Sequence, residues 1–392
     1  MDVDAFKKSP AGVIVQTPNR YAAFIPNPLP PRLEPIGLNM LRLVSDAERA
    51  VGQLAGIGYS VPNPDFLIIP YTRLEAVASS RIEGTQTSLS ELFYFEAAPE
   101  KSHLTDDLRE VRNYVSALNY GVERLKTLPL SLRLVRELHE RLMADVRGGD
   151  PYQTPGEFRR SQNWIGPAGC TLNEATFVPP PPSELMRTLG TWEKFLHERE
   201  QLPILIQCAL MHYQFETIHP FLDGSGRIGR LLITLFLCER KVLPQPLLYL
   251  SAYFEKYRAE YYDRLLAVSR DGDWQGWLTF FLRGVIIQSE HAIKSARQIV
   301  DQREAYRQIL QQEKASSSVL NLLDLIFANP YLTAPYVTKA IAVTAPTAQR
   351  AIDQLTRLGI LEEITGQQRN RVYMARQLLQ LLTENEPVYR PS

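Results

Sequence analysis

Cysteine is nearly absent from this 392-residue chain: Cys170, Cys208 and Cys238 are odd in number and lack the paired spacing of metal ligands. Neither a disulfide framework nor a zinc site is indicated, so the three read as reduced thiols in or near the core. Long apolar runs are also missing. The longest, Leu231 to Cys238, is far too short to cross a bilayer. The opening residues, MDVDAFKKSPAGVIVQ, are acidic at once and carry no apolar signal core, so a cytoplasmic protein with no membrane partner is expected. Net charge is lacking too, with 43 Lys plus Arg against 43 Asp plus Glu. No global field would hold the chain on nucleic acid or anionic lipid, and charge-driven binding must be local. No internal repeat or low-complexity tract is present. With 45% hydrophobic and 22% charged residues there is ample material for a core, and the length suits two or three domains.

Residues 20–36 carry five prolines without helical or strand periodicity, which predicts an extended arm. From Leu38 to Gly58, and again from Asp65 to Glu83, apolar residues recur every three or four positions. Amphipathic helix continues through most of the chain to about residue 312. The body is therefore mainly α. The exception is residues 151–182, dense in Gly, Pro and Asn with β-prone aromatics between them, which reads as a loop or short hairpin. Pro179 to Pro182 stiffen its exit, and a new helix is expected from Ser183 as N-cap with Glu184 behind it. After Ser316 to Ser318, three short periodic segments (319–328, 333–342, 345–358) precede Gly359, placed as a helix C-cap. Two strand-like stretches around Gly366 follow. Helix, helix, helix, hairpin is the order of a winged helix-turn-helix.

The most informative stretch is residues 207–240. Two helical runs flank HPFLDGSG, and the second starts straight after Gly224-Ser225-Gly226. A helix start preceded by glycines offers unpaired N–H groups and a positive dipole end, an anion site for which phosphate is the natural occupant. Arg227 and Arg230, three apart on that helix, could clamp a polyphosphate. Asp223 sits at the loop mouth, where an acid beside phosphates makes sense if Mg²⁺ lies between them. His219, just outside the loop, has the proton affinity of a general base near neutrality. The Lys of a GxxxxGK[ST] loop is missing, which excludes a P-loop NTPase. A turn at Asp223-Gly224, a loop histidine and solvated arginines are the bland alternatives.

HPFLDGSGRIGR resembles the Fic family motif, HxFx[DE]GNGRxxR. The resemblance implies an α-helical Fic fold and transfer of AMP from ATP to a hydroxyl side chain of a target protein. It makes His219 the base, Phe221 a core anchor of the loop and Asp223 the holder of Mg²⁺. Gly224, Ser225 and Gly226 become the anion hole, and Arg227 and Arg230 the ligands of the β- and γ-phosphates. Ser225 stands where the family usually has Asn. A shorter side chain with one donor predicts a weaker or water-mediated contact to the α-phosphate.

Upstream, Ser79 to Gly84 (SSRIEG) resembles the family's inhibitory motif, [ST]xxxE[GN]. Ser79 and Glu83 are four apart on one helical face, and Gly84 looks like the C-cap. Glu83 then lies where the helix dipole disfavours an acid and should have a partner elsewhere. The resemblance makes that partner Arg230, with Glu83 standing in the place of the γ-phosphate. The loop from Gly156 to Pro182 resembles the Fic flap, whose main chain near Thr176, Phe177 and Val178 would pair with the target segment. A proline-stiffened connector is the alternative. Tyr261, Tyr262 and Ser269 resemble the segment behind the nucleotide, although adjacent tyrosines cannot both face one pocket and at least one belongs to the core. His212, on a helix rich in apolar residues, reads as a packed, hydrogen-bonded histidine, and Trp164, Trp192, Trp274 and Trp277 as packing.

The resemblance divides the chain into an N-terminal region with the inhibitory helix (1–105), the catalytic core (106–315) and the winged helix (316–392). The tail has a net charge of about +1, with Arg350 and Arg357 on the recognition helix and Arg369 and Arg371 on the wing. That excess is small for a DNA-binding domain, which leaves DNA contact through Thr344, Thr347 and Gln349 and protein contact, including a homodimer, both open. The expected function is a Mg²⁺-dependent protein adenylyltransferase using ATP on an unknown target protein, held down in cis by Glu83. The alternative is a nucleotide-sensing DNA-binding regulator with little transferase activity.

Overall fold

A computed structural model describes residues 1–33, 37–60, 63–146, 154–167, 169–199 and 202–383. The chain opens with α1 (Val3–Phe6) and a hairpin of β1 (Gly12–Gln16) and β2 (Ala22–Pro26), paired antiparallel from Gly12 opposite Pro26 to Gln16 opposite Ala22. The extended arm predicted for residues 20–36 is thus corrected over its first part. Phe24 is buried against Phe6 and Phe177, with ring centroids 5.8 and 5.6 Å away, and this packing fixes β2 as a strand. A side chain at Gly12 would collide with Phe24 and the Ile25 carbonyl, so the close strand approach requires glycine.

The helices α2 (Leu38–Ser60), α3 (Asp65–Ile82), α4 (Leu89–Ala97), α5 (Asp106–Arg124) and α6 (Leu132–Leu142) follow. Starts are fixed locally: Ser88 and Glu91 form a reciprocal capping box on α4, and the Thr105 and Ser131 side chains cap α5 and α6. Beyond the flap come α7 (Pro182–Leu196), α8 (Ile204–Ile218), α9 (Ser225–Glu239), α10 (Ser251–Lys256), α11 (Arg258–Asp271) and α12 (Trp274–Gln312). The expected Ser183 cap is corrected. The first helical residue of α7 is Pro182, whose fixed φ suits a helix start and needs no side-chain cap. From Leu205 to Ile218 every residue of α8 is buried, so this helix is the centre around which the others pack.

The tail contains α13 (Ser317–Ala328), β3 (Tyr331–Thr333), α14 (Ala334–Ala340), α15 (Ala345–Arg357), β4 (Glu362–Glu363), β5 (Val372–Met374) and α16 (Arg376–Thr383). Its sheet is antiparallel in the order β3-β5-β4. Gly359 turns the chain after α15 with φ of 70°. The tail is docked rather than tethered: Asn329 Nδ2 donates to the Phe93 carbonyl at 3.0 Å, Thr333 Oγ1 to the Ala97 carbonyl at 3.2 Å, and Phe66 meets Phe327 edge-on. One apolar cluster runs from Phe6 to Leu382, so the three regions share a continuous interior. Among the described residues no helix is long and apolar enough to cross a membrane.

Candidate active site at the α8–α9 turn

The HPFLDGSG stretch is the link between the two central helices. His219, with φ of 46° and ψ of 66°, ends α8 in the left-handed region, and Gly224, with φ of 76°, precedes α9. A left-handed non-glycine residue costs on the order of 1–3 kcal/mol and persists where its surroundings hold it. The first N–H groups of α9, from Ser225 onward, point into this turn.

The His219 ring is half-buried, with Nδ1 3.3 Å from the Glu216 carbonyl. A proton on Nδ1 satisfies that acceptor and leaves Nε2 with its lone pair. Burial brings the imidazole pKa down to about 4; the Glu83 charge works against the shift and the Arg159 charge with it. The ring is therefore neutral at pH 7. Phe221 is fully buried and stacks on His139 at 3.6 Å, as its anchor role predicts. Ser225 Oγ accepts from the Phe221 N–H at 3.0 Å and lies 3.2 Å from the Phe221 carbonyl, to which it donates. Its hydroxyl closes the loop on itself.

Asp223 Oδ1 accepts from the Gly224 N–H at 2.6 Å and from Arg227 Nη2 at 3.2 Å, and its side chain is half-exposed at the mouth. Arg227 Nη1 also reaches Glu110 Oε2 at 2.9 Å. Arg230, fully buried, donates from Nη2 to Glu83 Oε1 at 2.5 Å, from Nε to Ser79 Oγ at 2.9 Å and from Nη2 to the Ser79 carbonyl at 3.0 Å. Two residues 147 apart in sequence, Glu83 and Arg230, thus meet at the N-terminus of α9. Glu83 is the C-cap residue of α3, and Gly84, with φ of 100°, turns the chain away behind it. The carboxylate lies over Gly226, where any Cβ would collide with Glu83 Oε1. Burial works to raise the Glu83 pKa, yet Arg230 holds it below its ordinary value. Arg81, two residues earlier, turns instead to Glu255 at 3.8 Å and to the Thr87 carbonyl.

Other predicted residues lie elsewhere. Tyr261 is fully buried, its hydroxyl 2.9 Å from His212 Nε2, and belongs to the core. Tyr262, 39% exposed, is the one of the pair that keeps an open face. Ser269 is buried, its Oγ 2.8 Å from the Tyr213 hydroxyl and its carbonyl accepting from Ser9 Oγ, so its side chain is engaged within the protein. In the flap, Ile165 and Phe177 exchange both main-chain hydrogen bonds, and the Val178 carbonyl accepts from the Phe24 N–H. Of the predicted target-pairing residues, Phe177 and Val178 are therefore already engaged with the protein itself, and Thr176 is the exposed one. Residues 151–153 and 168 of that loop lie outside the described residues. His212 is packed as expected, bonded through Nδ1 to the Gly229 carbonyl at 3.0 Å. Trp192 and Trp277 are buried, and Trp164 projects from the flap.

Several residues that complete the site carried no sequence signal. Glu110 binds Arg227 and also accepts from Thr85 Oγ1 at 3.0 Å, tying the arginine to the chain just after Glu83. His139 Nδ1 accepts from the Gly156 N–H at 2.9 Å, which puts its proton on Nε2, donating to the Asp223 carbonyl at 3.0 Å. Glu75, buried behind Arg230, accepts from the Ser251 N–H at 3.0 Å and the Tyr114 hydroxyl at 3.2 Å. A neutral histidine, a half-exposed acid, a helix N-terminus and two buried guanidinium groups therefore converge around the α8–α9 turn.

Residues 129–237 match the Fic/DOC family, and residues 41–123 match the Fic/DOC family N-terminal region. This chain carries Fic/DOC family domains. Over 178 residues it is 30% identical to the protein adenylyltransferase Fic of Drosophila grimshawi, covering 45% of this chain and 33% of that relative. Over 180 residues it is 32% identical to the protein adenylyltransferase Fic of Aedes aegypti, covering 45% and 32%. The chain thus spans about a third of the length of the curated relatives it matches. Its fold is shared with a Fic family protein from Desulfovibrio desulfuricans G20, at a TM-score of 0.54 and 19% identity over 87% of this chain and 97% of that one. The Fic match takes in α8, the turn and most of α9, and the N-terminal match takes in α3 with Ser79 and Glu83.

Proposed function

We propose that this chain is a protein adenylyltransferase that moves AMP from ATP to a hydroxyl of a target protein and is held down in cis by Glu83. The observation that carries the reading is the Glu83–Arg230 pair lying over Gly226 at the start of α9, a helix separated by five loop residues from a neutral His219. An anionic side chain on a helix N-terminus and a buried arginine stands where a terminal phosphate belongs. His219 Nε2 takes the proton of the target hydroxyl as its oxygen attacks the α-phosphorus. The new O–P bond forms as the bond to the bridging oxygen breaks, and pyrophosphate leaves. Arg227 and Arg230 bind the departing phosphates once their carboxylate partners yield.

Mg²⁺ fits the acid at the mouth. Among the described residues no group of three or more His, Cys, Asp or Glu gathers, so Asp223 would be a single protein ligand, as suits a hard cation that keeps waters and phosphate oxygens. When bound it would neutralise charge on the α- and β-phosphates. We read the tail as a winged helix whose partner is protein rather than DNA. Gln349 is bonded to Asp353 and Tyr373, and Arg357 to Glu313, so those side chains are engaged within the chain.

Intact mass after incubation with ATP and Mg²⁺ tests the reading in wild type, Glu83→Gly and Glu83→Gly/His219→Ala. A gain of one AMP in the single mutant alone is expected. Equal gain in wild type would refute the inhibitory role of Glu83, and a gain that survives His219→Ala would refute the base.

A further inference from the structure

The catalytic turn is held from behind by a buried cation with no carboxylate partner among its described contacts. Arg159 lies at the root of the flap and is 3% exposed. Its Nε donates to the His219 carbonyl at 2.9 Å, Nη2 to the Pro180 carbonyl at 2.6 Å and the Ile218 carbonyl at 3.3 Å, and Nη1 to the Ser161 carbonyl at 3.3 Å. Its main-chain N–H donates to the Pro220 carbonyl at 2.9 Å. Burying a guanidinium without a counter-ion costs several kcal/mol, and a cation survives there only where many acceptors face it. Burial does depress the Arg159 pKa, to about 10.

Asn163, four residues further along the flap root, uses both amide hydrogens on the same turn, donating to the His219 carbonyl at 3.0 Å and the Phe221 carbonyl at 2.8 Å. Its Oδ1 is buried with no partner among the described residues, so the contacts that hold the amide there are those of its donors. The carbonyls of residues 218 to 221 are thus all bound by two residues of the flap root. In a planar peptide the carbonyl and the following N–H point in opposite directions. Fixing this row of carbonyls on the flap side fixes the backbone, the left-handed His219 and the face that the imidazole presents.

We infer that Arg159 and Asn163 are positioning residues that brace the His219 turn and join it rigidly to the target flap. A segment docked on the flap is thereby placed at a set distance from the base. The inference rests on the adenylyltransferase reading for its kinetic consequence, but its geometric content is independent of it.

The test uses the full chain with Glu83→Gly as parent, adding Arg159→Met, Arg159→Lys or Asn163→Asp. AMP transfer should fall by about a hundredfold, as expected for loss of alignment, while KM for ATP stays within about threefold. Lysine should not restore the rate, because a point charge cannot span the acceptors that the planar fork reaches. Amide exchange should quicken at His219 and Phe221 and stay unchanged along α7 and α12. Retained transfer, unchanged exchange at those two amides, or exchange that quickens equally throughout α12 would each overturn the brace. If the parent transfers no AMP, the functional reading fails, and the brace then stands or falls on the exchange data.

Discussion

Replacing Glu83 by glutamine removes one charge from the anion site and leaves its shape. In the wild type, Arg230 is fully buried and Glu83 is its one described ion-pair partner within 4 Å. Stranding one member of a buried pair costs about 3–5 kcal/mol. Two features reduce that figure here. The Glu83 side chain is 37% exposed, so solvent screens part of the attraction, and Arg230 keeps its two bonds to Ser79. About 2 kcal/mol of destabilisation remains. With an unfolding entropy of about 2.1 cal/mol/K per residue over one continuous interior, this lowers Tm by roughly 2 °C. Saturating nucleotide reverses the sign. A polyphosphate binds the stranded arginine, and at a hundred times its Kd a ligand adds about 2.7 kcal/mol. Thermal melts with and without ATP and Mg²⁺ should therefore show Glu83→Gln starting below wild type and gaining more from nucleotide. Calorimetric titration should show tighter ATP binding in the same variant. An unchanged Tm together with equal ATP stabilisation in the two proteins would refute the claim that Glu83 competes with a phosphate for Arg230.

Three further outcomes follow from the same geometry. Because the His219 pKa lies near 4 rather than 6.5, the base stays unprotonated on mild acidification, and transfer by Glu83→Gly should hold steady from pH 8 to pH 6, where an unperturbed histidine would cut it about fourfold; a pH–rate profile checks this. The depressed pKa values of His139 and His219, both about 4, also mean that the unfolded chain binds protons first, so stability is full above about pH 6.5 and falls toward pH 4, by about 2 kcal/mol per histidine at pH 5 in urea melts. Gly226→Ala places a methyl group where Glu83 Oε1 and Arg230 Nη1 now lie; added to Glu83→Gly it should cut AMP transfer by about a hundredfold through misplacement of the anion, and retained transfer would show that no phosphate approaches Gly226.

Much of the site was legible because its chemistry is local. Glycines beside a helix start, a histidine before them and two arginines three apart can be read within twelve positions, and the structure places them on the α8–α9 turn and the first two turns of α9. The Glu83–Arg230 contact spans 147 residues and became readable only through the resemblance carried by the Ser79–Gly84 motif. The helical body was legible from its periodicity, whereas β3, three residues long, is too short to show any alternation. Ser269 was not legible for a physical reason: a small polar residue on a helix satisfies a buried tyrosine hydroxyl as readily as it meets a ligand, and its bond to Tyr213 is visible only in the structure.

Residues that hold the site rather than form it left no trace in the sequence pattern. Arg159 and Asn163 sit in an irregular loop, where no periodicity states which way a side chain points, and their acceptors are backbone carbonyls, which any sequence supplies. His139 lies on the apolar face of α6 between Leu138 and Leu142, where a histidine reads as core, and stacking on Phe221 makes it part of the core. What distinguishes it is its second nitrogen on the Asp223 carbonyl, a contact 84 residues away. Glu110 looks like one more solvated acid on an amphipathic helix until Arg227 and Thr85 meet at its Oε2. Glu83 bonds Arg230 directly, while Thr85, two residues on, reaches Arg227 through Glu110. The turn after α3 is thus tied to the contacts of both arginines, and α4, immediately downstream, is the helix on which Asn329 and Thr333 of the tail are anchored.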